Sequence, residues 1–167
     1  MRQIVVGLDG SPAAWAALSW SARLAEDTGA TLCGIAAWHY PSPIDEWQAR
    51  PSNYGYLPIP PTRDGLRQLA QSIAEDAREE ICTQHPTVAS TWGVVEAPAA
   101  TALVEASADA DLLVVGRNRH ARLAEMALGS VSHTCARHAA CPVVVVPPPV
   151  GSPPRRGRAT GPGVVWL

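Results

Sequence analysis

The chain has 167 residues, of which 47% are hydrophobic and 17% charged, and its formal net charge is −2 at pH 7. That length suits one domain with a single buried core, and the charge gives no electrostatic indication of a nucleic-acid or membrane partner. The longest early apolar run, Ile4 to Leu8, is far too short for a secretion signal or a membrane span. We therefore expect a cytoplasmic, soluble protein.

Five apolar runs predict β-strands. They lie at Gln3–Leu8, Thr31–Trp38, Thr91–Val95, Asp111–Val115 and Pro142–Val146. The last two are continuous rather than alternating, which is typical of parallel strands that are covered on both faces.

Helical patterns lie between these runs. The first extends from about Pro12 to Asp27, with Ser11 as its N-cap and Gly29 as its end. Three more are predicted: an amphipathic helix ending before Pro86, a helix opened by Pro98, and one from Ser130 to His138. Strands that alternate with helices form right-handed βαβ units, so the sequence predicts a doubly wound α/β sheet with helices on both faces.

Two segments fall outside this alternation. Residues 40–61 are rich in Pro and Tyr and connect the second strand to the second helix. We favour a mobile surface loop there over a lid or contact surface, since long loops in compact domains are usually functional or mobile. Residues 148–167 are rich in Pro, Gly and Arg and cannot pack a core, so we expect a flexible tail after a domain spanning 1–147.

Polar and glycine residues follow two strands that we expect to be neighbours. Asp9, Gly10 and Ser11 come after the first strand, and Gly116 comes after the fourth. Ligands of open parallel sheets bind at the carboxyl ends of the strands, where the strand order reverses. Glycine lets a ligand approach the backbone, and an Asp can accept a hydrogen bond from a ribose hydroxyl or a base amine.

A second Gly-Ser pair, Gly129-Ser130, opens the last predicted helix. The unpaired N–H groups and the positive end of the dipole at a helix start suit a phosphate. Each of these features taken alone is also ordinary turn and capping chemistry. Their combination at adjacent strand ends favours a nucleotide site.

Other catalytic motifs are missing from the sequence. There is no Gly-Lys-Ser/Thr, no G-x-S-x-G and no H-E-x-x-H, and His133 and His138 are spaced too poorly to share a helix face as metal ligands. No nucleophile has an evident base. We assign no catalytic residue and no protein-held metal, and any hydrolysis of a bound nucleotide is expected to be slow.

Three blocks of sequence resemble the universal stress protein family. They are Asp9-Gly-Ser-Pro12, Ala108-Asp-Ala-Asp-Leu-Leu-Val-Val-Gly116, and Leu128-Gly-Ser-Val-Ser132 followed by Cys141-Pro-Val-Val-Val-Val146. Their order and spacing agree with the family over about residues 2–147. The long insert after Trp38 resembles actinobacterial members in particular.

The resemblance implies a fold, a partner and a ligand. The fold is a five-stranded parallel sheet in the order 3-2-1-4-5, and the partner is a second copy paired through the last strand, at Val143, Val144, Val145 and Val146. The ligand is ATP, with Mg²⁺. In the family, Asp9 would contact the nucleoside, Ala37 would lie near the adenine, and Gly129, Ser130 and Val131 would hold ribose and phosphates.

One position departs from the family motif G-x2-G-x9-G-[ST]. Gly116 and Gly129-Ser130 fit it, but Arg119 occupies the second glycine position. If that position needs a positive φ, an arginine costs about 1 kcal/mol or more. Arg119 then either blocks the phosphate pocket, which leaves a nucleotide-free dimeric interaction module, or turns outward or reaches a phosphate.

We favour retained nucleotide binding, because Arg117, His120 and Arg122 make this loop basic and a basic loop favours a nearby anion. A third hypothesis is a nucleotide-dependent enzyme on a similar sheet. It would need a phosphate loop after the first strand, where Ser11-Pro12 provides only a short turn.

Overall fold

The computed structural model describes residues 1–40, 62–117 and 129–149. Its centre is one sheet of five parallel strands in the order β3-β2-β1-β4-β5. The strands are β1 (Gln3–Leu8), β2 (Thr31–Trp38), β3 (Ser90–Glu96), β4 (Leu112–Gly116) and β5 (Val143–Val146). The predicted strand order and doubly wound α/β class are confirmed.

Four α-helices lie in the described ranges. They are α1 (Pro12–Thr28), α2 (Arg63–Gln84), α3 (Ala99–Ala106) and α4 (Ser130–His138), and a short 3-10 turn (Ser107–Asp109) follows α3. The predicted ends of α1 are confirmed in their chemistry: Ser11 caps it by accepting a hydrogen bond from the Ala14 N–H, and Gly29 ends it with φ of 66°.

The helices cover both faces of the sheet, and each face has its own buried cluster. Alternate residues of β1 divide between them: Ile4 and Val6 pack under α1 and α2, while Val5 faces the side covered by α3 and α4. All three are fully buried. A central parallel strand with no solvated face is apolar at successive positions, which explains the continuous runs seen in the sequence.

Strand and helix bounds differ from the predictions by a residue or two at their ends. β3 is longer than predicted by one residue at each end, and β4 runs from Leu112 to Gly116 rather than from Asp111 to Val115. β5 begins at Val143 rather than at Pro142. The predicted loop over most of 40–61, and the predicted tail beyond 149, lie outside the described residues. In the described ranges no helix combines the length and the apolar character that crossing a bilayer requires.

One carboxylate links the amino-terminal ends of the two neighbouring strands β1 and β4. Asp111, just before β4, accepts hydrogen bonds through Oδ2 from the backbone N–H groups of Arg2 and Gln3, which lead into β1. These two bonds, with the Arg2 and amino-terminal charges adding to them, hold the pKa of Asp111 below its ordinary value of 3.8. The carboxylate thus joins the two central strands at the edge opposite the predicted ligand site.

The hydrogen bonds accepted by Asp111 predict that part of the free energy of unfolding is lost in acid. Because the folded-state pKa of Asp111 is lowered, its contribution is fully present above the unfolded value, near 3.8, and is lost as pH falls through the folded pKa. We expect Asp111→Asn to lower the melting temperature at pH 7 and to flatten its fall below about pH 4. Thermal unfolding monitored by circular dichroism at a series of pH values measures this.

Asp109 provides the matched control, since it is exposed two residues earlier in the 3-10 turn. Asp109→Asn should leave the pH profile as it is in the wild type. Equal melting profiles for Asp111→Asn and the wild type would show that the hydrogen bonds of the Asp111 carboxylate do not stabilise the fold.

Candidate functional site

A cleft opens at the carboxyl edge of the sheet, between the ends of β1 and β4. There the strand order reverses, because β2 lies on one side of β1 and β4 on the other. The cleft has a volume of about 130 Å³, below the ~300 Å³ at the low end for pockets that bury a drug-sized ligand. A cleft of this volume would therefore enclose only part of a nucleotide.

Six of the residues predicted from sequence line this one cleft. They are Asp9, Ala37, Gly116, Gly129, Ser130 and Val131. The topology thus brings together positions that lie more than a hundred residues apart in the chain. Gly10 and Ser11 do not line the cleft, and they act on it through the turn that holds Asp9.

Asp9 is held by a tight turn between β1 and α1. Its Oδ1 accepts a hydrogen bond from the Ser11 N–H at 2.8 Å, and Gly10 in between has φ of 75°, which favours glycine. Oδ2 accepts no hydrogen bond from any residue in the described ranges. One carboxylate oxygen thus fixes the side chain, and the other is available to a ligand.

Gly116 is required by packing rather than by its own backbone conformation, since its φ is not positive. A Cβ at this position would lie 2.6 Å from the Ala13 carbonyl carbon and 2.7 Å from the Ala14 nitrogen. The end of β4 therefore packs directly on the first turn of α1. The sequence predicts that this glycine admits a ligand, and the structure adds a packing reason for it, the close approach of α1.

The start of α4 is the part of the site that can receive an anion. Its N-cap, Gly129, supplies no side-chain hydrogen bond, and the first bond within the helix joins the His133 N–H to the Gly129 carbonyl. The N–H groups of Ser130, Val131 and Ser132 therefore have no partner among the described residues. By contrast, Ser11 caps α1 and Thr62 caps α2.

The remaining walls of the cleft are apolar. They are formed by Leu8, Ile35, Ala37, Leu103 and Val115, on β1, β2, β4 and α3. Leu103 lies over Gly7, where a Cβ would come within 2.8 Å of its Cδ1. Apolar walls with a few polar groups at the rim suit a planar ring that carries a polar tail.

Of the two arginines predicted to bind the ligand in the loop after β4, the structure describes Arg117 and not Arg119. The backbone N–H of Arg117 donates to the Val146 carbonyl at 2.7 Å, and its half-buried side chain has an Nε with no hydrogen-bond partner. Arg117 is not among the residues lining the cleft as described. Arg119 lies outside the described residues, so the hypotheses that it blocks or admits a phosphate stay predictions.

Ionisable groups are sparse here. Of the described residues that line the cleft, Asp9 alone has a titratable side chain. No cluster of three or more His, Cys, Asp or Glu side chains within the described ranges could hold a metal ion. Burial raises the pKa of both Cys135 and Cys141 above its ordinary value, which favours the thiol over the reactive thiolate.

The family model for the universal stress protein family matches residues 1–147. The chain belongs to the universal stress protein family. Universal stress protein Rv2623 of Mycobacterium tuberculosis is 38% identical over an alignment of 152 residues, and the match covers 86% of this chain and 46% of that protein. The chain spans about half the length of the curated relatives it matches.

Solved structures of the family share the fold. A universal stress protein family member from Burkholderia pseudomallei is 28% identical with a TM-score of 0.62, over 88% of this chain and 96% of that one. A universal stress protein in complex with cAMP is 27% identical with a TM-score of 0.61, over 89% and 98%. An AMP-bound member from Arabidopsis thaliana is 16% identical with a TM-score of 0.60, over 95% and 99%, and shows the fold alone.

The family assignment made from three sequence blocks is thus confirmed. Sequence reasoning missed most of the apolar wall of the cleft in this universal stress protein, and one polar residue that lines it, Ser132. This buried residue donates a hydrogen bond from its Oγ to the Gly116 carbonyl at 2.9 Å. A Ser in the first turn of a helix is so common that only the folded register distinguishes this one.

Gly116→Ala should destabilise this universal stress protein. The new methyl would overlap backbone atoms of α1, which cannot move aside as a flexible side chain can, so we expect a loss of about 2 kcal/mol or more. Urea unfolding should show a lower midpoint with an unchanged slope. Gly93→Ala is the control, since nothing lies within 4 Å of its Cβ position. Equal midpoints for Gly116→Ala and the wild type would contradict the packing argument.

Proposed function

We propose that this universal stress protein is a regulatory domain that binds an adenine nucleotide, ATP with Mg²⁺, in the cleft between β1 and β4. The observation that carries the proposal is the meeting of Asp9 with the uncapped start of α4 in one cleft. The 27% identical structure in complex with cAMP supports adenine as the base.

The nucleoside end of the proposed ligand would lie against β1 and β2. Asp9 has a free carboxylate oxygen for a ribose hydroxyl or the adenine amine, and Ala37 at the end of β2 provides an apolar surface for the base. Ile35 and Leu103 extend that surface.

The phosphate end would lie at α4. The N–H groups of Ser130 and Val131 and the Ser130 hydroxyl are donors at the positive end of a helix. Arg117 adds a cation next to Gly116, and Arg119 is the second cation of the same loop. With Asp9 as the one carboxylate among the described lining residues, Mg²⁺ would be held mainly by phosphate oxygens and water.

We propose binding rather than turnover as the role of this site. The described lining residues include no positioned nucleophile with a base, and Asp9 is tied into its own turn. The output would then come from a change in the protein on binding, as in a regulatory domain.

Isothermal titration calorimetry with ATP, AMP and cAMP in the presence of Mg²⁺ tests the proposal. We expect Asp9→Ala to weaken binding about ten- to a hundredfold, the range for losing a hydrogen bond to a charged group. Asp109→Ala, an exposed aspartate in the 3-10 turn after α3, should bind like the wild type.

Absence of heat for every nucleotide at millimolar concentration would exclude the proposal. In that case Arg119→Gly distinguishes the alternative, the nucleotide-free interaction module. Binding that appears only in Arg119→Gly identifies the arginine as the block, since it restores the glycine of the family motif.

We also propose that the protein is a homodimer paired through β5. All four residues of β5 are valines, all are half-buried, and no described strand pairs with its outer edge. An unpaired, uncharged edge of this kind favours pairing with another strand. The opposite edge strand, β3, ends instead in Glu96, which forms an ion pair with Arg63.

The dimer proposal predicts a selective effect of charge on β5. Val145→Lys should weaken self-association at least about tenfold, because the lysine would place an unpaired charge in a strand interface. Val94→Lys on β3, where the valine is 38% exposed, should remain dimeric. Sedimentation velocity at micromolar concentrations measures both, with circular dichroism to verify folding. A monomeric wild type, or dissociation by Val94→Lys alone, would reject β5 as the interface.

A further inference from the structure

Ser132 makes an unusual hydrogen bond for a serine within a helix. It lies in the first turn of α4, is 2% exposed, and donates from Oγ to the Gly116 carbonyl at 2.9 Å, across 16 residues of chain. Serine and threonine hydroxyls inside helices commonly bond to a carbonyl one turn back. Ser19, Ser21 and Thr28 do so in α1. The Ser132 bond instead joins its helix to the end of a strand.

The acceptor of this bond is held in place from two other sides. The missing side chain of Gly116 lets the backbone of Ala13 and Ala14 pack against it. The next residue, Arg117, donates its N–H to Val146 of β5. The Gly116 carbonyl is therefore a fixed point of the structure, and a helix attached to it takes up a fixed position.

The same backbone leads to Asp9. Ser11 caps α1 through the Ala14 N–H at 3.2 Å, and its own N–H holds the Asp9 carboxylate. Described contacts thus run from Asp9 through the first turn of α1 to Gly116, and from there through Ser132 to the open N–H groups of α4. This series of contacts sets the separation between the two ends of the cleft.

We propose that Ser132 is a positioning residue for the phosphate end of the ligand. Its hydroxyl sets the start of α4 against Gly116, so that the N–H groups of Ser130 and Val131 meet a phosphate while the nucleoside contacts Asp9. This inference rests on the proposed nucleotide function. Ser132 already donates its hydroxyl proton to Gly116, so it acts through α4 rather than as a proton donor to the ligand.

The test separates a positioning role from a structural one by comparing ligands with and without phosphate. Isothermal titration calorimetry of the full chain with adenosine, AMP and ATP gives, in the wild type, the gain in affinity due to phosphate. We expect Ser132→Ala to weaken AMP and ATP binding about five- to tenfold, the scale of one hydrogen bond, and to leave adenosine binding within about twofold. A general loss of folding would lower all three affinities together.

Two further variants complete the comparison. Ser21→Ala removes another fully buried serine hydroxyl, whose bond at 2.8 Å stays within α1, so the phosphate gain should be unchanged. Ser132→Thr keeps a hydroxyl donor and should recover most of the gain. If Ser132→Ala does not fold, Ser132→Cys replaces it with a side chain of similar size and a much weaker donor.

The outcomes distinguish the two proposals. A wild type that binds none of the three ligands removes the nucleotide function, and the role of Ser132 is removed with it. A wild type that binds while Ser132→Ala loses adenosine and AMP equally, or loses neither, overturns the positioning role and leaves the nucleotide function standing. Selective loss for the phosphorylated ligands supports both.

Discussion

The architecture of this universal stress protein depends on the contact between Gly116 and the first turn of α1. A side chain there would lie within 2.8 Å of three backbone atoms of Ala13 and Ala14. Because backbone cannot move aside as a side chain can, the absent Cβ determines how closely α1 approaches β4. The carboxyl ends of β1 and β4, which α1 covers, then stand as neighbours with a narrow apolar cleft between them.

The helix starts near this contact differ in how their N–H groups are satisfied. The first turn of α1 is capped by the Ser11 hydroxyl and packs closely against Gly116. The first turn of α4 receives no side-chain cap. The two helices therefore have different roles at the cleft. The start of α1 packs against the sheet, whereas the start of α4 has backbone N–H groups without a partner among the described residues. A sequence comparison of Asp9-Gly-Ser with Gly129-Ser130 does not separate these roles.

Most of the framework was predictable from the sequence, because it follows from local rules. Apolar runs located the five strands, and Ser11 and Gly29 marked the ends of α1. The alternation of strands with helices indicated the doubly wound α/β class. The purposes of Gly116 and Ser132 were not predictable, since each depends on an atom of another element: α1 for the glycine, β4 for the serine. Such contacts appear only once the tertiary register is known.

The geometry also brings the cleft close to β5, the strand at one end of the sheet order. The Gly116 carbonyl accepts from α4, and the N–H of the next residue, Arg117, donates to Val146 of β5. These are the two polar groups of one peptide unit. A ligand at the start of α4 and a partner strand along β5 would act on that same unit from opposite sides. Coupling between ligand binding and dimerisation would therefore require only that the ligand bind the monomer and the dimer with different affinities. Dimerisation would then change the affinity for the ligand by the same factor as the ligand changes the affinity between the two copies.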